Sequence, residues 1–310
     1  MTPLLGRFSP NVQGAIWMTL CGLGFSVMAS MVKVASRDLS GFEIAFFRAL
    51  FGFVTLFPFI ARRGIGALHT QHLGMHMWRG LLGIFSMICA YIGISKLALA
   101  NYTALSFTKP LFAVVLAVLV LQEEVRWRRW MATIIGFIGV VVMMRPGSDA
   151  FSPWALLALG DAFAIALLIT IVKRLPESET PLIMLFYFGL AAVALSFPLA
   201  LWFWRWPTTG DWLLLMAIGA SGALSQYWWI LAFRAGEASA VAPFDYLRLL
   251  FAGAVGIAFF AEYPDLWTYL GAAIIVGSTI YIAQREAQLI RSERHEAVKR
   301  EAMAAERPEA

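Results

Sequence analysis

NVQGAIWMTLCGLGFSVMASMVK, residues Asn11 to Lys33, carries no charge until its last position. A hydrocarbon core of roughly 30 Å takes about 20 apolar residues of helix, so this run has the length of one bilayer crossing. Nine further stretches of the same character follow it with only short hinges between them. Spans are expected at 11–32, 41–61, 73–95, 103–122, 128–145, 152–172, 180–204, 211–233, 240–261 and 266–283. The runs are continuous rather than alternating, and a backbone in lipid must satisfy its own hydrogen bonds, so helices are expected and not the strands of a barrel.

Composition agrees. Hydrophobic residues make up 60% of the chain and charged ones 14%, with a mean hydropathy of +0.74, whereas ordinary soluble domains are about a quarter charged. With 310 residues almost all used in crossings, no separate soluble domain fits, and any chemistry belongs inside the bundle. The first stretch is full length and lacks a small-residue cleavage site, so it reads as a span and not as a cleaved signal. Cys21 and Cys89 both fall within spans, which points to neither a disulfide framework nor a cysteine metal site. A metalloprotease His-Glu-x-x-His, a Walker loop and a nucleophile elbow are all missing from the sequence, so ATP-driven pumping has no support and no cofactor is expected.

Lys and Arg in alternate loops set the orientation. Fifteen fall on the side of the two termini and five on the other. Both ends are therefore expected in the cytoplasm, with the chain multi-pass in a bacterial inner (cell) membrane. The tail after Ala283 holds six basic residues and six glutamates, a balance that suits a solvated helix or frayed end better than a lipid-binding patch. Net charge of +5 follows from the same bias, and nothing about it calls for nucleic acid. The expected partners are the lipid bilayer and a small-molecule substrate, and a monomer suffices.

Sliding the sequence on itself by about 138 to 140 residues superposes Met31-Val32-Lys33 on Ile171-Val172-Lys173, Lys96-Leu97-Ala98 on Arg234-Ala235-Gly236, Glu124 on Glu262 and Gly139 on Gly277. Two five-span halves emerge, 11–145 and 152–283, flanked by segments 1–10 and 284–310. Five is odd, so the second half enters from the opposite side. Such inverted repeats place a site near the midplane and rock to open it to each side in turn, which is the architecture of a secondary transporter. The expected fold class is an all-α membrane protein, ten transmembrane helices forming two inverted five-helix repeats around a central cavity.

Ala98-Leu99-Ala100-Asn101-Tyr102-Thr103-Ala104-Leu105, running into Lys109-Pro110-Leu111-Phe112 and closing with Glu123-Glu124, resembles the first-half signature of the EamA group in the drug/metabolite transporter superfamily. A second-half echo runs from Ala235-Gly236-Glu237-Ala238 through Ala261-Glu262 to the Gly271–Gly277 helix. The likeness spans almost all of 11–283. It implies a ten-helix carrier with a central cavity, and cargoes that include amino acids, nucleosides, vitamins and drugs. Within the group, a bacterial amino-acid exporter of the aromatic-amino-acid efflux type is the nearest reading. One departure is visible: Pro110 has Arg248 at its second-half place.

Features present in both halves belong more readily to scaffold than to a single asymmetric ligand. Lys33, Lys173, Lys96, Arg234, Glu124 and Glu262 sit at span ends, where long side chains snorkel. Gly139 and Gly277, with Gly80, Gly83, Gly253 and Gly256, suit close helix packing. Charges inside spans cost roughly 2.5–3.5 kcal/mol each on insertion scales and mark function more often. Arg248 and Asp161 lead, because the repeat puts Pro110 and Cys21 at their equivalents. Arg248 suits a carboxylate through a bidentate bond, and Asp161 suits an amine or a proton. Asp245 is three residues before Arg248 and offers the competing role of neutralising it. Lys109 precedes Pro110, where a kink, a gate and a binding role are equally open. Arg48, five residues after Glu43, and Arg79, near a span end, read as structural.

Among aromatics, Trp127, Trp130, Trp202, Trp204, Trp206 and Trp212 fall at span edges as belt anchors. Trp17, Tyr91, Tyr102, Tyr227, Trp228 and Tyr246 share spans with polar residues such as Ser225 and Gln226, and suit a cavity wall that stacks an apolar side chain or cationic amine. Asn101 suits its mouth. His69, His72 and His76 align on one helical face, but no carboxylate or cysteine completes a metal set; they read as interfacial, with His76 reaching toward the cavity.

The sequence therefore points to a secondary transporter of amino acids or similar small metabolites, working by alternating access and exporting. An intramembrane enzyme on a lipid-like substrate is the rival class, with Glu123-Glu124 beside Arg126 as its nearest site. A passive channel is disfavoured by bulky aromatics in most spans.

Overall fold

The computed structural model describes residues 9–55, 70, 72–120, 122, 127–172, 181–236 and 241–305, and the regular structure among them is helical. In order these are α1 (Pro10–Ala35), α2 (Gly41–Val54), α3 (Leu73–Lys96), α4 (Leu99–Ser106), α5 (Lys109–Leu119), α6 (Trp127–Met144), α7 (Ala155–Val172), α8 (Pro181–Trp202) and α9 (Thr209–Ala235). A 3-10 turn (Ala242–Tyr246), α10 (Leu247–Phe260) and α11 (Leu266–Ala305) complete the chain. Taking α4 with α5, and the 3-10 turn with α10, seven segments are long and apolar enough to cross a membrane. Shorter apolar helices run over Ala155–Thr170 and Phe186–Trp202.

Local chemistry explains the helix ends. Ser40 and Glu43 form a capping box that starts α2, and Thr208 with Asp211 does the same for α9. Ala261 takes the left-handed conformation (φ 53°) after α10, and the Glu262 N–H reaches back to the Gly256 carbonyl at 3.0 Å. The first half ends its fourth span in the same left-handed way at Gln122 (φ 56°). A glutamate follows each cap in sequence, Glu123 and Glu262.

Two expected spans are not single helices. The one placed at 103–122 begins at Leu99 and breaks between Ser106 and Lys109. Pro110 has no N–H to give the Ser106 carbonyl, and the Leu111 and Phe112 N–H groups both turn to the Thr108 carbonyl, at 2.9 and 3.1 Å. The one placed at 240–261 starts as the 3-10 turn and becomes α-helical at Leu247. Shifted by 138, Lys109 falls on Leu247, so the two breaks occupy equivalent places in the halves. The helix expected at 266–283 continues to Ala305, and the end of the span expected at 41–61 lies outside the described residues.

Helix packing repeats with the halves exchanged. α1 lies along α9 as α7 lies along α3; α1 meets α10 as α7 meets α5; α2 meets α9 as α8 meets α3. The α2–α8 and α6–α11 contacts map onto themselves. Small residues permit the closest of these approaches. A Cβ on Gly139 would lie 2.8 Å from Ile274 Cγ2, and one on Gly271 would lie 2.7 Å from the Gly139 carbonyl oxygen. Gly80 and Gly83 likewise face Ala191 and Phe188 of α8. Gly253 and Gly277 depart from the expected packing role, with nothing within 4 Å of the position a Cβ would take.

The belt assignment needs a similar correction. Trp127, Trp202 and Trp206 are exposed, but Trp204 and Trp212 pack on Phe47 at ring separations of 5.5 and 5.0 Å. They belong to an aromatic core between α2 and the second half.

Candidate functional site

The two helix breaks touch. Phe107, in the gap between α4 and α5, lies 4.9 Å from Tyr246 at the end of the 3-10 turn. Arg248, in the first turn of α10, places its guanidinium 5.1 Å from the Phe107 ring centroid and 6.0 Å from that of Phe25 on α1. Its Nη2 donates to Ser106 Oγ at 3.0 Å. Ring faces attract a cation, and more strongly away from water. Gly22 lets α1 come against the Arg248 backbone, where Ser26 Oγ donates to the Arg248 carbonyl at 3.3 Å. The Tyr246 hydroxyl donates to Thr279 of α11 at 2.8 Å and fixes its ring.

Arg248 and Asp245 are both described and form no ion pair, so the neutralising role weighed for Asp245 is not what the arrangement uses. Asp245 instead lies within electrostatic reach of Cys21 and Lys109. Lys109 opens α5 at the break and is within reach of Asp161, Arg248 and Asp245.

Asp161 on α7 is buried, and both its oxygens are taken: Ser86 Oγ donates to Oδ1 at 2.6 Å and the Tyr102 hydroxyl to Oδ2 at 2.8 Å. Tyr91, also buried, lies within electrostatic reach of both Arg48 and Asp161. Asn101 turns its Oδ1 into the interior with no hydrogen-bond partner. Two sets of contacts result: Ser86, Asp161 and Tyr102 are joined by hydrogen bonds, and Ser106, Phe107, Tyr246 and Arg248 by a hydrogen bond and ring contacts, with Arg48, Tyr91, Lys109 and Asp245 within electrostatic reach of them.

Other candidates fall elsewhere. Trp17 and Trp228 pack together with Phe25 around Met18, Cys21, Ala232 and Val241, one side of the group just described. Tyr227 is 55% exposed, and no hydrogen bond or ring contact ties it to the others. His76 is buried and stacks on Tyr187 at 5.1 Å, toward the start of α3. His69, Glu123, Glu124 and Arg126 lie outside the described residues.

Arg48, which reads from the sequence as structural five residues after Glu43, forms no ion pair with it. Glu43 is in fact taken by the backbone: its oxygens accept the Ser40 N–H at 2.8 Å and the Arg205 N–H at 2.6 Å. Its burial at zero exposure with two backbone donors is a capping arrangement that also ties α2 to the second half. The capping-box spacing was the sequence signal for this.

Lys33 and Glu262 also depart from the snorkelling role. They form an ion pair that joins the end of α1 to the end of α10. Lys33 Nζ also donates to the Leu97 carbonyl at 2.6 Å, and Glu262 Oε2 accepts the Leu99 N–H at 2.8 Å, capping α4. Three segments from the two halves thus meet at one mouth of the bundle. Lys96 rests instead over the Trp154 ring, at 5.7 Å.

Residues 12–145 and 152–284 each match the EamA-like transporter family. The S-adenosylmethionine uptake transporter of Rickettsia prowazekii is 35% identical over 92% of this chain and 97% of its own. A riboflavin transporter of Vibrio cholerae is 34% identical over the same shares, and the pseudopaline exporter of Pseudomonas aeruginosa is 28% identical over 88% and 96%. A protein of known crystal structure shares the fold at a TM-score of 0.55 and 19% identity, over 88% of this chain and 98% of its own. With two matched repeats, an all-helical membrane architecture and relatives named for carrying small metabolites, the chain belongs to the EamA-like transporter family and is a transporter, not an enzyme.

Proposed function

We propose that this protein is a secondary carrier of amino acids or amino-acid-derived metabolites in the bacterial inner membrane, with its two halves inverted about a central chamber and both termini in the cytoplasm. The observation that carries the reading is the meeting of two helix breaks at equivalent places in the halves, at Ser106, Phe107, Tyr246 and Arg248. Discontinuous helices at a repeat interface are where carriers of this architecture hold cargo. Arg248 offers a planar set of donors that fits a carboxylate, and the Phe107 and Tyr246 rings, in contact at a 50° tilt, offer an aromatic wall to the rest of the molecule. Relatives named for S-adenosylmethionine uptake support a cargo with an amino-acid head.

Asp161 takes a different role from the amine partner read in the sequence. With both oxygens accepting from Ser86 and Tyr102, it holds the Tyr102 ring in place within the chamber. Export, the direction read from the sequence, matches the name of the pseudopaline relative, and uptake that of the S-adenosylmethionine relatives. An uncoupled alternating cycle runs either way, and the cargo gradient sets its direction.

Counterflow in liposomes loaded with protein tests the proposal against a panel of amino acids, S-adenosylmethionine, riboflavin and nucleosides. Saturable exchange of at least one amino-acid-bearing solute is expected, lost when Arg248 becomes Gln. Exchange confined to riboflavin or nucleosides overturns the cargo class.

A further inference from the structure

Three helices are tied together at two heights. At the level of the helix breaks, Arg248 of α10 donates to Ser106 Oγ at the end of α4 at 3.0 Å, and its carbonyl accepts from Ser26 Oγ of α1 at 3.3 Å. At the mouth, Glu262 accepts the Leu99 N–H at the start of α4 at 2.8 Å and pairs with Lys33 in the last turn of α1. Lys33 Nζ also donates to the Leu97 carbonyl at 2.6 Å and lies 5.5 Å from the Phe260 ring centroid. From these ends, α1 and α10 run toward the mouth and α4 runs away from it.

The spacings match. Ser26 and Lys33 are seven positions apart, as are Leu99 and Ser106, which is about 11 Å of helix. Arg248 and Glu262 are fourteen apart and would be separated by about 21 Å if the helix ran on. The left-handed cap at Ala261 prevents this by turning Glu262 back, so that its N–H meets the Gly256 carbonyl at 3.0 Å and a Cβ on Gly256 would stand 3.2 Å from Glu262 Oε2. Gly256 is eight positions from Arg248, about 12 Å along the axis. The fold-back brings the carboxylate level with Leu99 and Lys33.

α4 is built to move as one piece. Its eight residues lie between two joints, the extended Leu97 and Ala98 before it and the break at Phe107 and Thr108 after it, and such element ends are where hinges form. Midway along it, the Tyr102 hydroxyl is bonded to Asp161 of α7 at 2.8 Å and supplies a pivot. Ser106 gives Arg248 a neutral acceptor, whereas a carboxylate makes a charge-assisted bond of about twice the strength. Cargo held at Arg248 therefore displaces Ser106, and of the two ties between α4 and α10 only the one at Glu262 is left.

We infer that α4 links the cargo site to the mouth: a carboxylate that takes the place of Ser106 on Arg248 tilts α4 about Tyr102 and draws Leu99 off Glu262, and Glu262 is the positioning residue through which each end senses the other. This rests on the carrier reading above and adds how occupancy opens the mouth. Without cargo both ties hold and the mouth stays shut. Coupling between sites is reciprocal, so a looser mouth tightens cargo binding just as cargo loosens the mouth.

Ala252, buried one turn beyond Arg248 and one turn before Gly256, reports the opening. Full-length protein carrying Ala252→Cys, with Cys21 and Cys89 replaced by alanine, is labelled with a membrane-impermeant maleimide in right-side-out membrane vesicles. Labelling is measured alone and with glutamine, glutamate, phenylalanine or S-adenosylmethionine present, and counterflow in liposomes gives the half-saturation and maximal rate for each. A solute that exchanges is expected to raise labelling about fivefold or more. Ser106→Ala is expected to raise it without cargo. Glu262→Gln and Lys33→Gln raise it as well, and lower the half-saturation of the exchanged solute by a similar factor. A brace with no link to the site changes stability and maximal rate and leaves half-saturation where it was. Exchange with labelling unmoved by cargo and by Ser106→Ala, or half-saturation unchanged in both mouth variants, overturns the inference and leaves the carrier reading intact. Exchange of none of the four solutes overturns both. Where Glu262→Gln does not fold, Lys33→Gln, which keeps the Glu262 cap on α4, decides.

Discussion

Arg248 Nη2 and Ser106 Oγ stand 3.0 Å apart, and that bond ties the interruption in one half to the interruption in the other. Ser106 is one residue from the break that Pro110 creates, and Arg248 occupies the place Pro110 has in its own half. Replacing Arg248 by Gln is expected to raise the half-saturation of any carboxylate cargo more than tenfold, which corresponds to about 1.4 kcal/mol. Ser106→Ala, which removes a neutral partner, is expected to change it by only a few-fold. Counterflow titrations on the two variants measure the difference.

The Lys33–Glu262 pair is expected to hold one mouth of the bundle shut. A reducible bifunctional thiol cross-linker joining cysteines at both positions should stop counterflow, and reduction should release it. Glu262→Gln loses the ion pair while keeping an acceptor for the Leu99 N–H, and should make a cysteine near the break more reactive toward a water-soluble thiol reagent. A cross-linked protein that transports at the full rate contradicts the assignment.

Asp161 accepts from the Tyr102 hydroxyl at 2.8 Å and is expected to hold that ring in position. Asp161→Asn turns one acceptor into a donor facing a hydroxyl, and an unmet buried polar group costs about 1–3 kcal/mol. Loss of stability of that order is expected, with partial recovery in the Asp161→Asn, Tyr102→Phe double variant. Thermal unfolding in detergent of the wild type, both single variants and the double gives the coupling.

Glycines of the same type are expected to behave oppositely. Gly139→Leu overfills the α6–α11 crossing, where even a Cβ falls 2.8 Å from Ile274 Cγ2, and overpacking costs about 1–3 kcal/mol. Gly253→Ala meets nothing within 4 Å and should stabilise by about 0.5–1 kcal/mol, because alanine loses less backbone freedom in a helix. Melting temperatures of the two variants check both signs.

Asp265, at the loop before α11, gives a pH test outside the membrane. Partial burial pushes its carboxyl pKa up, but hydrogen bonds from the Thr268 hydroxyl and N–H, and the Arg145 guanidinium, outweigh this and hold it below the ordinary value. An acid with a depressed folded-state pKa stabilises above its unfolded pKa, and that contribution disappears as the pH falls through the folded value. The pair is largely exposed, at 30% and 41% for the two side chains, so its effect is small. Asp265→Asn should flatten only the acid end of the stability profile, below about pH 4.

Much of this fold is readable because hydrophobic length and repetition are local or nearly local signals. Runs such as Asn11–Lys33 declare themselves, and the Lys33/Lys173 and Glu124/Glu262 matches reveal the two halves. Pro110 marks a disturbance in its span, while the matching break before Leu247 has Arg248 at the equivalent place and its own proline, Pro243, five residues earlier in the 3-10 turn, so sequence equivalence alone does not reveal it. Sequence spacing pairs Arg48 with Glu43, but the backbone N–H of Arg205, 162 positions away, takes that carboxylate. Lys33 reads as a snorkelling side chain because its partner Glu262 is 229 positions away. Tyr227 and Tyr246 look alike on paper, and only packing separates an exposed ring from one pinned to Thr279.

On the proposed reading, a chamber built from two inverted copies of one motif has no intrinsic head or tail, and a guest would enter it equally well in either pose. Proline on one side and arginine on the other abolish that degeneracy. The polarity of the bound molecule then follows from the differences between ancestral duplicates, Pro110 against Arg248 and Cys21 against Asp161, and exchanging the residues of both pairs should turn the guest end over end.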